Sequence, residues 1–182
     1  MQIVERTDRG LTINGITDRD LRSRNFKGEE KRDQISGKVV NSAGRRNFLL
    51  HSLPEEIAEE LKDRGCDVKY TKLRDPNDVA VPYVSVNVSY FLKPVEAWMI
   101  ANGVNTNLDE SRIYMLDDVD VKNACIQLEF GKEKTKQNGD KYIPIFLSNI
   151  VAEVVPNYMR EQFAFLYNQP QAQTGDGMPF DA

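Results

Sequence analysis

The stretch Val79–Leu92, VAVPYVSVNVSYFL, constrains the fold more than any other part of the chain, because its side chains alternate with a period of two. Val84, Val86, Val88 and Tyr90 share one face, and that face is a core face. Tyr83, Ser85, Asn87, Ser89 and Phe91 share the other. Small polar residues between two aromatic rings make a surface on which flat, polar-edged ligands can lie. The alternative is that both rings pack beneath a loop or a neighbouring strand.

At 182 residues, 40% hydrophobic and 29% charged, the chain is long enough for one substantial core and short for two, so a single domain is expected. A formal net charge of −4 argues against binding polyanions by bulk charge, and any nucleic-acid site must be a local basic patch. No apolar run is long enough to span a bilayer, and the opening residues MQIVERTDRG lack the apolar stretch of a secretion signal, so a cytosolic protein is expected. Cys66 and Cys125 have no partner at metal-ligand spacing and are expected as small buried hydrophobes without a disulfide.

Along the chain, Leu11, Ile13 and Gly15 alternate as an entering edge strand, and Leu21–Lys27 alternates again with Arg22, Arg24 and Phe26 on one side. Across Arg22–Arg46 there are eight basic residues (Arg22, Arg24, Lys27, Lys31, Arg32, Lys38, Arg45 and Arg46) against the acids Glu29, Glu30 and Asp33. Gly28, Gly37 and Gly44 make this loop mobile, which suits a flap over phosphates and equally an ordinary solvated loop. Arg46–His51 reads as a strand with Phe48 and Leu50 inward. A helix follows, with Ser52 and Glu55 at capping-box spacing, Pro54 in its first turn and Gly65 at its end. Its apolar stripe is Ile57, Ala58 and Leu61; the rest is acidic and would repel nucleic acid, so the ligand face should lie away from it. Cys66, Val68 and Tyr70 alternate in the next strand, before the strand described first.

Beyond Pro94, Val95–Ile100 reads as a strand carrying Trp98, the only tryptophan. Asn102–Asp120 reads as an acidic loop. Its Asp117, Asp118 and Asp120 are so close in sequence that they point in different directions, which favours turn and cap roles over a metal site. Val121–Phe130 is a strand, and Lys132–Lys141 a hairpin connection with Asn138-Gly139 at its tip and Lys132, Lys134, Lys136 and Lys141 against Glu133 and Asp140. Lys141–Val155 is the last long strand, with Tyr142, Pro144, Phe146, Ser148 and Ile150 on one face and Pro144 marking an edge or bulge. Asn157–Tyr167 is a short amphipathic helix, and Asn168–Ala182 a disordered tail. The tail ends in an apolar knob, Met178-Pro179-Phe180, flanked by Asp176 and Asp181; it is either a docking motif or an uninformative end.

These elements fit a mainly β fold: a Greek-key barrel of the OB type with one inserted acidic helix, a short C-terminal helix and a disordered tail, residues 1–167 forming the domain and 168–182 the tail. A β-sandwich is the competing architecture. The order of RNFKG at Arg24–Gly28, GRRNFLLHSLPEEIAEELKDRGCDVK at Gly44–Lys69, YVSVNVSYF at Tyr83–Phe91, LDDVDVKNACIQLEF at Leu116–Phe130 and YIPIFLSNIVAEV at Tyr142–Val154 resembles the single-stranded DNA-binding proteins of tailed bacteriophages. The resemblance covers most of the chain. It implies an OB-fold that binds and protects single-stranded DNA without reading its sequence, during phage replication or recombination in the cytoplasm of the infected host. Asp176, Met178, Pro179 and Phe180 are similar to the acidic Pro-Phe tip by which bacterial single-stranded DNA-binding proteins dock onto replication and recombination proteins, although here Asp181 and Ala182 follow Phe180.

In that reading Tyr70, Tyr83, Phe91 and Trp98 stack bases, with Ser85, Asn87 and Ser89 keeping the floor flat between Tyr83 and Phe91. Trp98 is divided evenly between core and platform, and Tyr70 leans to the core because it shares parity with Cys66 and Val68. Phosphates are met by Arg22, Arg24, Lys27, Lys31, Arg45, Arg46, Lys69, Lys72, Lys132, Lys134 and Lys136. No cofactor, catalytic residue or metal is expected, and homo-oligomerisation is left open. His51 is the only histidine, and no nucleophile motif or phosphate-binding glycine loop occurs. A protein-interaction or virion component using the same face, and less so a metal-dependent nuclease, are the alternatives.

Overall fold

The computed structural model describes residues 1–73, 75, 77–91 and 93–155, so the expected helix at 157–167 and the tail lie outside the described residues. Alternating apolar side chains turn one side of most strands inward, the first strand being exposed almost throughout. The strands so formed are β1 (Gln2–Thr7), β2 (Gly10–Ile16), β3 (Leu21–Asn25), β4 (Arg46–His51), β5 (Pro82–Val88), β6 (Glu96–Ala101), β7 (Val104–Leu108), β8 (Asp120–Phe130) and β9 (Ile145–Val155). Helix α1 (Glu55–Asp63) lies between β4 and β5.

The main sheet runs β1-β2-β8-β9-β5-β4-β3. Its contacts are antiparallel except where β9 meets β5 in parallel, Ile145 opposite Val86. β3 at one end of this order is joined covalently to β2, next to the other end, the two being halves of one bent strand separated by Thr17–Asp20. That turn is bonded on both sides: the Asp18 N–H donates to the Val121 carbonyl at 2.9 Å, and the His51 N–H to the Asp20 carbonyl at 2.8 Å. The circuit β2/β3, β4, β5, β9, β8 is a Greek-key barrel of the OB type. β1 lies outside it along β2, and the β6–β7 hairpin extends it by pairing β6 in parallel with β9, Trp98 opposite Val151.

The barrel is filled by Leu11, Ile13, Ile16, Phe48, Leu50, Val84, Val86, Ile126 and Leu128, all fully buried. The Phe26 ring stacks on Phe48 with centroids 5.5 Å apart. The inward faces expected for Phe48 and Leu50, and for Val84, Val86 and Val88, are those observed.

Three expectations of parity are corrected by bulges. In β2 an extra residue lies between the pairs Ile13–Ile126 and Ile16–Ala124, and Gly15, at φ +74°, absorbs the turn. Ile16 rather than Gly15 therefore takes the next inward position, and β2 is flanked on both sides instead of forming an edge. In β3 the register shifts between Arg22 and Asn25 at Ser23, φ +50°, which leaves Arg22 exposed while Phe26 turns into the core. In β9 the extra residue is Ser148, so Phe146 stays half-buried on the outer side while Ile150 is buried. Pro144 lies in the break between the short Lys141–Tyr142 segment and β9.

Helix α1 presents Ile57, Ala58 and Leu61 to the core as expected. It closes with a Schellman motif: the Gly65 N–H donates to the Lys62 carbonyl at 2.8 Å, the Cys66 N–H to the Leu61 carbonyl at 2.9 Å, and Gly65 sits at φ +80°. The expected capping box does not form. Pro54 is the cap residue, without a side-chain bond, and Ser52 adopts φ +57° with its hydroxyl on His51 Nδ1 at 2.9 Å. Asn102–Asp120, expected as loop, contains β7 and a 3₁₀ turn at Ile113–Asp117 whose Ile113 and Leu116 are buried. Phe48→Ala removes the ring that centres the barrel and should cost about 3–5 kcal/mol, measured by urea unfolding.

Candidate nucleic-acid interface

The two basic segments read from the sequence are the connections β3–β4 and β8–β9, and the barrel topology brings both to the outer face of β5. The first is an arm with a stapled neck. Asn25, 2% exposed, donates through Nδ2 to the Glu29 carbonyl at 2.9 Å and accepts the Glu29 N–H at 2.9 Å. Asn41, 5% exposed, donates to the Arg45 carbonyl at 2.8 Å and accepts from Asn47 at 3.0 Å. The Gly44 N–H reaches the Gly28 carbonyl at 2.8 Å. From below, the Asp117 carboxylate accepts the N–H groups of Phe26 at 2.8 Å and Lys27 at 2.9 Å. Beyond the neck, Lys31–Arg32 pairs with Val39–Asn41, so the segment expected as either a mobile flap or an ordinary solvated loop carries a hydrogen-bonded ribbon.

The second arm is a ribbon of Lys134–Thr135 on Lys141–Tyr142, with Gly139 at φ +91° at the expected Asn138-Gly139 tip. Its root is tight: a Cβ on Gly131 would come within 2.7 Å of the Phe146 ring and 2.9 Å of the Pro144 ring.

Between the arms lies a groove of about 310 Å³ lined by Arg45, Asp67, Lys69, Ser85, Asn87, Lys136, Tyr142, Ile143, Pro144 and Ile145. This is at the small end of the ~300–1,000 Å³ typical of ligand pockets. β5 supplies the floor through Ser85 and Asn87. Asn87 is fixed at both ends of its amide, donating to the Ile145 carbonyl at 3.0 Å and accepting from Arg45 at 3.4 Å. Lys69 reaches the groove because Lys69–Tyr70 pairs with Tyr83 and Pro82 at the edge of β5. The Lys136 ammonium lies 5.7 Å from the Tyr142 ring centroid and 2.8 Å from Asp67.

Of the expected site residues, Arg45, Lys69 and Lys136 are brought together here. Tyr83 is next to them, half-buried and stacked on His51 at 5.9 Å between centroids. Phe91 is 91% exposed, but the strand ends at Val88, so it stands on the following loop rather than on the Tyr83 face. That loop is tied down by Lys93, whose ammonium meets Glu129 at 2.8 Å and Ser148 at 3.1 Å. Tyr70, leaning to the core by parity, is 46% exposed; Lys62 caps it, with its ammonium 5.0 Å from the ring and 2.6 Å from the hydroxyl. Trp98 is 39% exposed on the β6–β7 extension beside Val151, away from the groove. Arg24 is bound into the fold by the Val119 carbonyl at 2.9 Å and Asp18 at 3.0 Å. Lys27 and Lys31 line a separate hollow of about 340 Å³ with Tyr114 and Asp117. Arg46 pairs with Glu110 at 2.7 Å over the ring of Tyr90, whose hydroxyl burial pushes up to about 12. Arg22, Lys72, Lys132 and Lys134 are exposed. Asp176, Met178, Pro179 and Phe180 lie outside the described residues.

Sequence reasoning passed over Tyr142 and Asp67 as site residues. Tyr142 carried a signal, a ring at the end of a lysine-rich hairpin; an acid within a basic groove carries none. Among the described residues no cluster of His, Cys, Asp and Glu is arranged to hold a metal ion, and no helix is long and apolar enough to cross a membrane.

A Greek-key barrel with a cationic groove on β5 between two basic arms defines the chain as an oligonucleotide-binding-type barrel. The chain belongs to the family described as "Putative phage ssDNA-binding domain", whose family model matches residues 4–164. Among solved structures it is similar to the single-stranded DNA-binding protein of bacteriophage Enc34, determined in complex with ssDNA. That likeness has 10% identity and a TM-score of 0.45 over 82% of this chain and 93% of that one. No curated protein matches the chain.

Cys66 sits behind the groove, bridged to Ile143, and burial pushes its thiol up to about 11. In mildly alkaline buffer it should react with Ellman's reagent only as the protein unfolds, which stopped-flow labelling across a urea series measures.

Proposed function

We propose that this protein binds single-stranded DNA without reading its sequence, and protects it during phage replication or recombination inside the infected host. The observation that carries the reading is the groove on β5, framed by the two basic arms, in a chain that belongs to a phage ssDNA-binding family. Arg45, Lys69, Lys136, Lys132 and Lys134 meet phosphates, while Tyr83, Tyr142 and Phe91 offer ring surface to bases. Single strands are preferred because only unpaired bases expose both faces. The acidic helix α1 discourages duplex on its side of the barrel. The protein acts as a binder and not as an enzyme, and the segment after residue 167 serves partner docking through Asp176, Met178, Pro179 and Phe180.

Titrating an all-thymidine oligonucleotide at two salt concentrations tests this. Tight, salt-weakened quenching of aromatic fluorescence, absent with duplex, is the expected outcome; no response at low salt ends the reading. Lys132→Gln and Lys134→Gln should each make the salt slope shallower by about 0.7. Phe91→Ala should weaken binding by about 1–3 kcal/mol, with an unchanged melting temperature because the ring is already exposed. Truncation after Thr174 should leave DNA affinity intact or raised in the same titration.

A further inference from the structure

The groove contains one acid. Asp67 projects among Arg45, Lys69 and Lys136 from the segment between α1 and the Lys69–Tyr70 strand, and it holds two of these cations at once. One carboxylate oxygen takes the Lys136 ammonium at 2.8 Å and the other lies 3.6 Å from Lys69. The two lysines belong to different parts of the barrel, one on the β8–β9 arm and one at the edge of β5. The hydrogen bond it donates to Asp67 is the main reason the Lys136 ammonium titrates above its ordinary value. While it is held there, that ammonium also lies over the face of Tyr142, the ring on the groove wall.

We propose that Asp67 is the resident counter-anion of the groove: it occupies the place of a backbone phosphate, and entry of a strand transfers Lys136 and Lys69 from its carboxylate to a phosphodiester oxygen. This rests on the single-strand-binding reading above. The chemistry of the exchange is even-handed, since a carboxylate and a phosphodiester both accept hydrogen bonds from ammonium groups at similar distances. The exchange also costs little, because ion pairs that water still reaches are weak. Movement of Lys136 to the phosphate uncovers the Tyr142 face for a base. The displaced carboxylate then stands close to the phosphate that replaced it. Asp67 thereby lowers affinity and keeps the groove closed to weakly held anions, which makes release of the strand easier.

The test is fluorescence anisotropy of a labelled all-thymidine oligonucleotide over a salt series, using the full chain and three variants with matched thermal midpoints. Asp67→Asn should bind several-fold more tightly at low salt, with a salt slope steeper by about 0.7. Asp67→Glu keeps the anion and should retain the wild-type affinity and slope. Glu133→Gln removes an acid that pairs with Lys141 at 2.8 Å on the same arm but outside the groove lining, and should change affinity by less than about twofold. Weaker binding by Asp67→Asn, or an unchanged slope, overturns the proposal and leaves single-strand binding standing; equal gains from Asp67→Asn and Glu133→Gln overturn it as well. Absence of binding by the wild-type chain at low salt overturns the functional reading and this proposal together.

Discussion

The structure depends on one bent strand shared between two halves of a barrel. Residues 10–25 pair with β8 through their first half and with β4 through their second, and the turn at Thr17–Asp20 is bonded to both neighbours. A sheet folded round in this way encloses an interior narrow enough for side chains alone to fill. Leu11, Ile13, Phe48, Leu50, Val84, Val86, Ile126 and Leu128 meet this requirement from four strands at once. The bulges at Gly15, Ser23 and Ser148 allow the strands to bend while keeping apolar residues inside.

Closure also decides where the loops go. Because Arg46 at the start of β4 opposes Val88 of β5, and Ile145 at the start of β9 opposes Val86, the connections β3–β4 and β8–β9 both emerge at the C-terminal end of β5. Polar side chains then hold them in shape. Asn25, Asn41 and Asp117 satisfy backbone groups at the neck of the first arm, where unpaired buried N–H and C=O groups would each cost about 1–3 kcal/mol. The groove is therefore built on hydrogen-bonded ribbons rather than on free loops, which lowers the ordering cost of binding.

Charge is arranged in the same economical way. The chain carries a formal net charge of −4, yet its groove gathers Arg45, Lys69 and Lys136, while the carboxylates of α1 stand outside the groove lining. Many cations of the arms are paired within the protein, as Lys27 is with Glu29, Arg32 with Glu30 and Lys141 with Glu133. These pairs are exposed and screened, and they keep their cations at the surface without burying them.

The sequence by itself determined the inward faces of β4 and β5, the apolar stripe of α1 and its end at Gly65, and the Asn138-Gly139 tip. Each of these follows from interactions between residues a few positions apart: alternation, helical spacing, or a glycine with φ above zero. The charge segregation of the two arms was legible for the same reason. Parity beyond a bulge was not, since the phase of Ile16, Phe26 and Ile150 depends on which residue the partner strand leaves unpaired. Nor could the sequence separate Arg45, which faces the groove, from Arg24, which is spent on Val119 and Asp18, because both sit in the same basic run. Tertiary structure alone decided that Asp67, Lys69, Asn87, Lys136 and Tyr142 share one groove. Strand order sets that meeting, and strand order is a property of long-range pairing to which no local pattern of residues corresponds.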